Sequence, residues 1–277
     1  MSEPKDRPIG VFDSGMGGLT VLRALLARLP NERFVYLGDT ARLPYGTKSP
    51  ETVQAYALQA TRLLVSEGVK MVVVACNTAS AVALSPLARA LSPVPVIGVI
   101  EPGARAGVAA TRNNHIAVIA TEGTVKGAAY ARAIAALNGG IKVVQQPCQL
   151  FVALAEEGWT DSPATRAAAE HYLAPLFSGP SAPDTLVLGC THFPVLADTI
   201  RKIIGTEVAL VDSAETTALA VAEALTSGGL GITSKTNAGA ARIFATDSPE
   251  RFARVGTVFL GRPIDVEAVE LVDLRTL

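Results

Sequence analysis

Two stretches of this 277-residue chain share one pattern, and the pair constrains the fold more than any other feature. Residues 71–78 (MVVVACNT) and 185–192 (TLVLGCTH) each contain an apolar run, then a cysteine, then small polar residues. A continuous apolar run is typical of a strand that is covered on both faces in a parallel sheet. The small polar residues favour the start of a helix. Cys76 and Cys190 are therefore predicted at the carboxyl ends of two strands, where open α/β sheets bind ligands.

Strand and helix patterns alternate along the rest of the chain. The stretches that also indicate strands are 9–12, 34–38, 96–100, 116–120, 142–146, 208–211 and 243–246. Leu22, Leu25, Leu26 and Leu29 have the spacing of one apolar helix face, and residues 49–51 (SPE) have the composition of a helix start. Ser213 is predicted to cap the helix that follows 208–211. Such alternation predicts an α/β protein with parallel sheets.

The pattern restarts in the middle of the chain. Residues 116–123 (IAVIATEG) resemble 9–15 (IGVFDSG) at an offset of 107, and Cys190 follows Cys76 at an offset of 114. We therefore predict two similar parallel-sheet domains of flavodoxin or Rossmann type, related by a pseudo-two-fold axis, with the active site in the cleft between them. The predicted domains are 1–98 plus 211–277, with Cys76, and 99–210, with Cys190. Residues 101–103 (EPG) are interpreted as a crossing point between them.

Composition limits the functional class. Hydrophobic residues make up 49% of the chain, charged residues 18%, and the net charge is −1. This charge gives no general attraction to nucleic acid or to anionic lipid. No apolar stretch reaches the ~20 residues that span a bilayer, and the first eight residues lack the apolar region of a signal peptide. We expect a cytoplasmic protein that needs neither a nucleic-acid nor a membrane partner.

The cysteine count points to reduced thiols. Three cysteines are an odd number, which argues against a disulfide framework. Cys190 and His192 form a C-x-H pattern, but no second pair completes a metal ligand set, so no metal is expected. Cys148 follows a proline, away from any predicted strand-end site, and is interpreted as structural.

Two thiols at equivalent strand ends suit proton transfer. An unperturbed thiol has a pKa of ~8.5, and a helix N-terminus lowers this value. We therefore expect one thiolate and one thiol near neutral pH, which can remove a proton from one face of a carbon and return one to the other. Each cysteine alone could be a small buried apolar residue. The matching positions of both favour the acid–base interpretation.

Polar neighbours could assist the thiols. Asp13 ends the first strand and should lie near Cys76, while His192 lies two residues beyond Cys190. Both could tune or shuttle protons, although Asp13 could equally cap a helix and His192 could be a buried histidine with satisfied hydrogen bonds. His115 and His171 lie at a strand entrance and on a surface helix. Polar groups at the predicted helix starts suit a substrate with two carboxylates: Ser14, Asn77, Thr78, Thr191 and His192.

Several separate motifs occur in a characteristic order. They are 10–20 (GVFDSGMGGLT), 38–39 (GD), 44–46 (PYG), 75–80 (ACNTAS), 189–194 (GCTHFP), 249–252 (PERF) and 259–261 (FLG). With these motifs the chain resembles the glutamate racemases of the aspartate/glutamate racemase family over about residues 8–261. These enzymes interconvert L- and D-glutamate without a cofactor. The resemblance also implies D-glutamate supply for peptidoglycan and, commonly, a homodimer.

The resemblance assigns roles to individual residues. It implies that Cys76 and Cys190 are the acid–base pair, assisted by Asp13, His192 and Glu156, although Glu157 is one residue away from the matching position. The residues implied to hold substrate are Asp13, Ser14, Pro44, Tyr45, Gly46, Asn77, Thr78, Thr121, Thr191 and His192. The chain departs from the expected pattern at Gln149 and Ala153, where prolines are expected.

Three other functions remain open from the sequence. Residues 15–18 (GMGG) follow a strand as in dinucleotide-binding proteins, but Thr20 occupies the sixth motif position and Asp13 would repel a pyrophosphate. An amino-acid-binding regulatory protein could have the same cleft. An aspartate racemase differs only in a substrate shorter by one methylene, which is worth only ~1–3 kcal/mol of discrimination.

Overall fold

The computed structural model describes residues 4–232 and 240–274, and in this part of the chain the strands form two parallel sheets. The first sheet has the order β10-β9-β2-β1-β3-β4. Its strands are β1 (Ile9–Asp13), β2 (Phe34–Gly38), β3 (Met71–Val74), β4 (Val96–Gly98), β9 (Ala241–Ala245) and β10 (Val269–Leu271). All five strand pairings in this sheet are parallel.

The second sheet repeats the central part of the first. Its order is β6-β5-β7-β8, formed by β5 (His115–Ala120), β6 (Lys142–Pro147), β7 (Thr185–Gly189) and β8 (Ala209–Asp212). Counted from the first strand of each unit, both sheets have the order second, first, third, fourth. Its pairings are also parallel. The predicted fold class, with two similar α/β units, is confirmed.

Helices connect the strands. They are α1 (Leu19–Arg28), α2 (Pro50–Ser66), α3 (Asn77–Ala90), α4 (Ile100–Ala110), α5 (Glu122–Lys126), α6 (Ala129–Leu137), α7 (Gln149–Glu156), α8 (Pro163–Leu173), α9 (Ala197–Ile204), α10 (Ser213–Ser227) and α11 (Pro249–Leu260). Within the described ranges, no helix has the length and apolar character needed to cross a membrane.

The apolar runs explain why both thiols reach the same edge of a sheet. Every residue of β3 and of β7 is buried, as expected for central strands with helices on both faces. Cys76 is the N-cap of α3, two residues beyond the end of β3, and Cys190 directly follows β7. Each thiol therefore lies at the carboxyl end of the third strand of its unit, beside the first strand, where the strand order reverses.

The predicted domain division remains a prediction. Its boundary after residue 98 coincides with the end of β4, whereas the boundary before residue 211 falls inside β8. Residues 1–3, 233–239 and 275–277 of the first predicted domain lie outside the described residues.

The local predictions were wrong at two helix starts. The predicted strand 96–100 ends at Gly98, and residues 101–103 belong to the first turn of α4. Pro102 is tolerated there because the first turn needs no intrahelical N–H donor. Asp212 rather than Ser213 caps α10, since its Oδ1 accepts a hydrogen bond from the Ala214 N–H at 2.7 Å.

A buried ion pair joins several segments at the opposite edge of the first sheet. Lys70 Nζ lies 2.6 Å from Glu32 Oε2, and the two side chains are only 1% and 4% exposed. Lys70 also donates to the carbonyls of Lys5 and Leu230, at 2.8 and 2.9 Å. Glu32 accepts a further hydrogen bond from the Ile232 N–H. These bonds satisfy both charges, which burial would otherwise make costly.

Candidate active site

A cavity of about 40 Å³ lies where the carboxyl ends of the two sheets meet, and both Cys76 and Cys190 line it. Of the residues predicted from the sequence, those lining this cavity are Ser14, Pro44, Tyr45, Gly46, Cys76, Asn77, Thr78, Thr121, Glu156, Cys190, Thr191 and His192. Asp13 lies fully buried at the end of β1, immediately before the lining residue Ser14. The structure thus brings the predicted set together from both units.

Cys76 forms one wall. Its Sγ accepts a hydrogen bond from the Ala79 N–H and donates to Ser14 Oγ, both at 3.4 Å, so the sulfur caps α3 as a thiol. Asp13 accepts a hydrogen bond from the Gly15 N–H at 3.0 Å. Its other oxygen, Oδ1, is buried and has no hydrogen-bond partner in the described part of the chain.

The loop after β1 packs directly against the loop after β7. A Cβ atom on Gly17 would lie 2.4 Å from His192 Nδ1 and 2.5 Å from Thr191 Oγ1. On Gly18 it would lie 2.5 Å from the Cβ of Asp13. Thr20 Oγ1 donates to the Thr191 carbonyl at 3.0 Å. This close approach explains why glycine occupies both positions. The two glycines are therefore not evidence for a dinucleotide-binding loop.

Cys190 forms the opposite wall together with an imidazole and a carboxylate. His192 Nδ1 lies 3.8 Å from Cys190 Sγ, and Nε2 lies 3.2 Å from Glu156 Oε1. The edge of the Phe259 ring packs against the imidazole at 5.0 Å between centroids. Glu156 is the carboxylate that reaches His192, whereas the neighbouring Glu157 is exposed.

Hydroxyl groups from both units meet at another side of the cavity. Thr78 Oγ1 lies 3.0 Å from Thr121 Oγ1, and both lie within 3.3 Å of Thr124 Oγ1. Gly46 packs against Thr121, where an added Cβ would come within 3.0 Å. Tyr45, the preceding residue, is held by its hydroxyl, which donates to Asp39 Oδ2 at 2.5 Å. These hydroxyls are donors suited to a carboxylate.

The Asn77 amide has a defined orientation. The hydroxyl of Tyr130, on α6 of the second unit, donates to Asn77 Oδ1 at 2.8 Å. Asn77 Nδ2 is buried without a hydrogen-bond partner among the described residues, and Asn77 lines the cavity. Because a buried amide N–H group without a partner is costly, this group favours a ligand acceptor in the cavity.

Electrostatics differ between the two walls. Burial and the nearby Asp13 carboxylate raise the pKa of Cys76 to about 12. Burial also raises the pKa of Asp13, against the opposing effects of His192 and backbone N–H groups. Burial alone would lower the pKa of His192, but hydrogen bonds with Cys190 and Glu156 raise it to about 10. His192 is therefore an imidazolium at neutral pH.

The expected lowering of the thiol pKa is wrong for Cys76. The Ala79 N–H at the start of α3 does favour the thiolate, as the sequence suggests. Burial and the charge of Asp13 outweigh this single hydrogen bond. Cys76 consequently rests as a thiol near neutral pH.

Comparison with known proteins decides the family. The family model described as Asp/Glu/Hydantoin racemase matches residues 9–221. A glutamate racemase of Geobacter metallireducens is 52% identical over 266 residues, which cover 96% of this chain and 97% of that protein. One from Syntrophus aciditrophicus is 48% identical over 98% of this chain and 99% of that protein.

The chain belongs to the Asp/Glu/Hydantoin racemase family. It is therefore a racemase, which is a type of isomerase. The crystal structure of glutamate racemase from Francisella tularensis in complex with D-glutamate agrees with its fold. The TM-score is 0.90 at 37% identity, covering 99% of this chain and 100% of that one.

The remaining cysteine and histidines of the racemase lie elsewhere. Cys148 is buried after β6 and donates to the Gln146 carbonyl at 3.7 Å. His115 contacts the Ser181 carbonyl at the start of β5, and His171 is exposed on α8. Over residues 4–232 and 240–274, no three His, Cys, Asp or Glu side chains form a group that could hold a metal ion.

Four residues that line the cavity were not predicted: Gly15, Leu43, Gln149 and Val152. Gln149 begins α7 at a position where the sequence pattern led us to expect a proline, and that departure was the only signal. Arg251 was also missed. It lies in the 249–252 motif, and its Nη2 donates to Glu156 Oε2 at 2.7 Å. No local pattern links residues 95 positions apart.

Proposed function

We propose that this racemase interconverts L- and D-glutamate with two thiols and without a cofactor. The observation that carries the proposal is that Cys76 and Cys190, at equivalent strand ends of two units, line one small cavity. The substrate assignment is supported by the relatives at 52% and 48% identity, both glutamate racemases, and by the D-glutamate in the superposed Francisella structure.

The proposed reaction has two proton transfers. The thiolate of one cysteine removes the α-proton, which forms an S–H bond and leaves the electron pair on Cα. The opposite thiol then gives its proton to the other face of Cα and becomes the thiolate. The configuration at Cα inverts, and the thiol proton of the enzyme is then on the cysteine that began as the thiolate. The scheme requires no oxidant or reductant, since only protons move.

Asp13 and His192 are proposed to prepare the thiols. Because Cys76 rests as a thiol, it must lose a proton before it can act as a base. The charge of Asp13 opposes the thiolate, but burial raises the pKa of Asp13 and makes it the nearby carboxylate suited to accept that proton, after which it no longer repels the sulfur. On the other wall, the His192 imidazolium stabilises a Cys190 thiolate and can return a proton to it. Glu156 in turn stabilises the imidazolium.

The substrate is proposed to be held at both ends by neutral donors. Thr78, Thr121 and the Asn77 amide offer donors on one side of the cavity. Ser14, Thr191 and backbone groups of Tyr45 and Gly46 are proposed to complete the carboxylate contacts. Pro44 shapes the same loop.

Glutamate in D₂O provides the test. L-Glutamate converted by the enzyme should give D-glutamate with deuterium at Cα, followed by mass spectrometry and circular dichroism. Cys76→Ser and Cys190→Ser should each lower racemisation by ~10²–10⁴-fold while circular dichroism of the fold is unchanged. Cys148→Ser is the matched control and should retain activity. First-formed product that retains α-protium would contradict the mechanism.

The same assay separates the alternatives. A higher kcat/KM for aspartate than for glutamate would assign the substrate of an aspartate racemase. Binding of glutamate without racemisation, unchanged in the Ser variants, would indicate a regulatory amino-acid-binding protein.

We further propose that D-glutamate supply for peptidoglycan is the role of this enzyme, in the cytoplasm and as a homodimer.

A further inference from the structure

A chain of charged side chains connects the Cys190 wall to the first unit. Starting at the sulfur, it runs through His192 at 3.8 Å and Glu156 at 3.2 Å, and ends at Arg251 at 2.7 Å. Glu156 lies on α7 of the second unit, whereas Arg251 lies on α11, which packs against the first sheet. The Arg251 contact therefore crosses the cleft.

The two oxygens of Glu156 have separate partners. Oε1 faces the imidazole of His192 and Oε2 accepts from the Arg251 guanidinium. With both oxygens held, the carboxylate cannot rotate away from the imidazole without losing a charge-assisted hydrogen bond. The Glu156 side chain is 15% exposed and that of Arg251 is 41% exposed, so the pair is partly shielded from solvent.

Within the described part of the chain, Asp13 on the opposite wall has no side-chain cation bound to its carboxylate. One of its oxygens is bound only by backbone N–H and the other is unpartnered among the described residues. The two walls therefore hold carboxylates of different character. Burial acts on both, but His192 and Arg251 outweigh it and lower the pKa of Glu156, whereas burial prevails at Asp13 and raises its pKa.

We propose that Arg251 is a positioning residue that holds the Glu156 carboxylate against His192 across the cleft, and thereby keeps the imidazole protonated. Its guanidinium touches neither sulfur, so it acts only through Glu156. The inference rests on the proposed function for its catalytic meaning, but the contact itself can be tested without substrate.

The groups that face His192 are few, which makes its titration interpretable. Among the described residues they are Cys190 beside it, Glu156 from α7 and Asp13 from β1, while α11 contributes the neutral Phe259 ring and, behind Glu156, Arg251. Removal of Arg251 releases one oxygen of Glu156, so the carboxylate can rotate away from the imidazole. The imidazolium is then less stabilised, so its pKa falls from about 10 towards the ordinary histidine value. Loss of the guanidinium charge by itself would raise the pKa of His192, so a fall reports the loss of positioning.

The test is an NMR titration of ¹³C-histidine-labelled protein. The chain has only three histidines, and His192→Asn identifies the His192 signal. In Arg251→Met we expect the His192 midpoint to fall by about 1 pH unit, with a smaller fall in Arg251→Lys, which restores the charge but not the fork geometry. Arg254→Met, an exposed arginine three residues further along α11, is the control and should leave it unchanged.

Activity is measured on the same variants. The alkaline limb of kcat/KM for glutamate should move to lower pH in Arg251→Met by about the same amount as the NMR midpoint. An unchanged or raised His192 midpoint in Arg251→Met would overturn the inference, as would a loss of activity with no shift of the alkaline limb. If Arg251→Met lowers the His192 midpoint as expected but the wild-type enzyme racemises no glutamate, only the proposed function is refuted.

Discussion

Replacing Gly17 by alanine tests whether the close packing of the two loops sets the Cys190 wall. The new Cβ would lie 2.4 Å from His192 Nδ1 and 2.5 Å from Thr191 Oγ1, whereas carbon atoms in contact lie about 3.5–4.0 Å from their neighbours. The imidazole or the loop must therefore move by roughly 1 Å. Such a shift would disturb the 3.2 Å contact of His192 with Glu156 and the 3.8 Å contact with Cys190.

The expected losses differ for stability and for rate. Inserting a methyl group into tight packing typically costs ~1–3 kcal/mol of unfolding free energy, while a 1 Å misplacement of a catalytic group can cost ~10²-fold in rate. We expect Gly17→Ala to remain folded at 25 °C and to lose about 10²-fold in kcat/KM. Circular dichroism gives racemisation and urea unfolding gives stability.

Gly139→Ala is the matched control for this change. Gly139 lies after α6, and an added Cβ there would have only the Ala135 carbonyl oxygen nearby, at an ordinary 3.8 Å. This variant should change neither kcat/KM nor the unfolding free energy by more than a surface substitution usually does. If Gly17→Ala kept wild-type activity and stability, the loops would be able to yield without cost, and the reasoning from close packing would be refuted.

Two further predictions concern the resting thiol and the buried ion pair. In the free enzyme, alkylation of Cys76 by iodoacetamide, mapped by mass spectrometry, should keep rising with pH beyond 10, because its pKa is about 12; a plateau near pH 8 to 9, as for a peptide thiol of pKa ~8.5, would contradict this. Lys70→Met should lower the unfolding free energy by ~3–5 kcal/mol in urea, because it leaves Glu32 buried without its cation. Arg105→Met, in the exposed pair with Glu101, should have little effect, and equal losses in the two variants would refute the role of burial.

The strand-level architecture followed from the sequence because its signal is local. The runs 71–74 and 185–189 are apolar throughout, and both are central strands with every residue buried. The alternation with helices and the offset between the two thiols then predicted the repeat. The short strand β10 was missed, since it has only three residues, too few to establish a pattern, and two of them are exposed.

Helix starts were harder to predict because competing residues decide them. Residues 101–103 contain a proline and a glycine, which favour a turn, yet they form the first turn of α4. Asp212 and Ser213 could each have capped α10 from sequence alone. Because the strand ends at Asp212, the carboxylate of this residue lies where it can accept a hydrogen bond from the free N–H group of Ala214.

The candidate site was predictable where residues adjoin a strand end, and not where they come from afar. Ser14, Asn77 and Thr191 adjoin strands, and all three line the cavity. The contact of Glu156 with Arg251 depends on α11 packing against α7, which no local pattern reports. The resting protonation of Cys76 was missed because burial is a property of the folded chain.

The return of the late segment to the first sheet has a consequence for biosynthesis. β9 and α11 follow both sulfurs in the chain, yet α11 supplies Phe259 and Arg251 beside the His192 pair. A ribosome-bound polypeptide therefore possesses both thiols well before the helix that surrounds the imidazole has emerged. A stalled or proteolytically shortened product that ends before residue 249 would contain both thiols and His192, but not the Arg251 and Phe259 side chains.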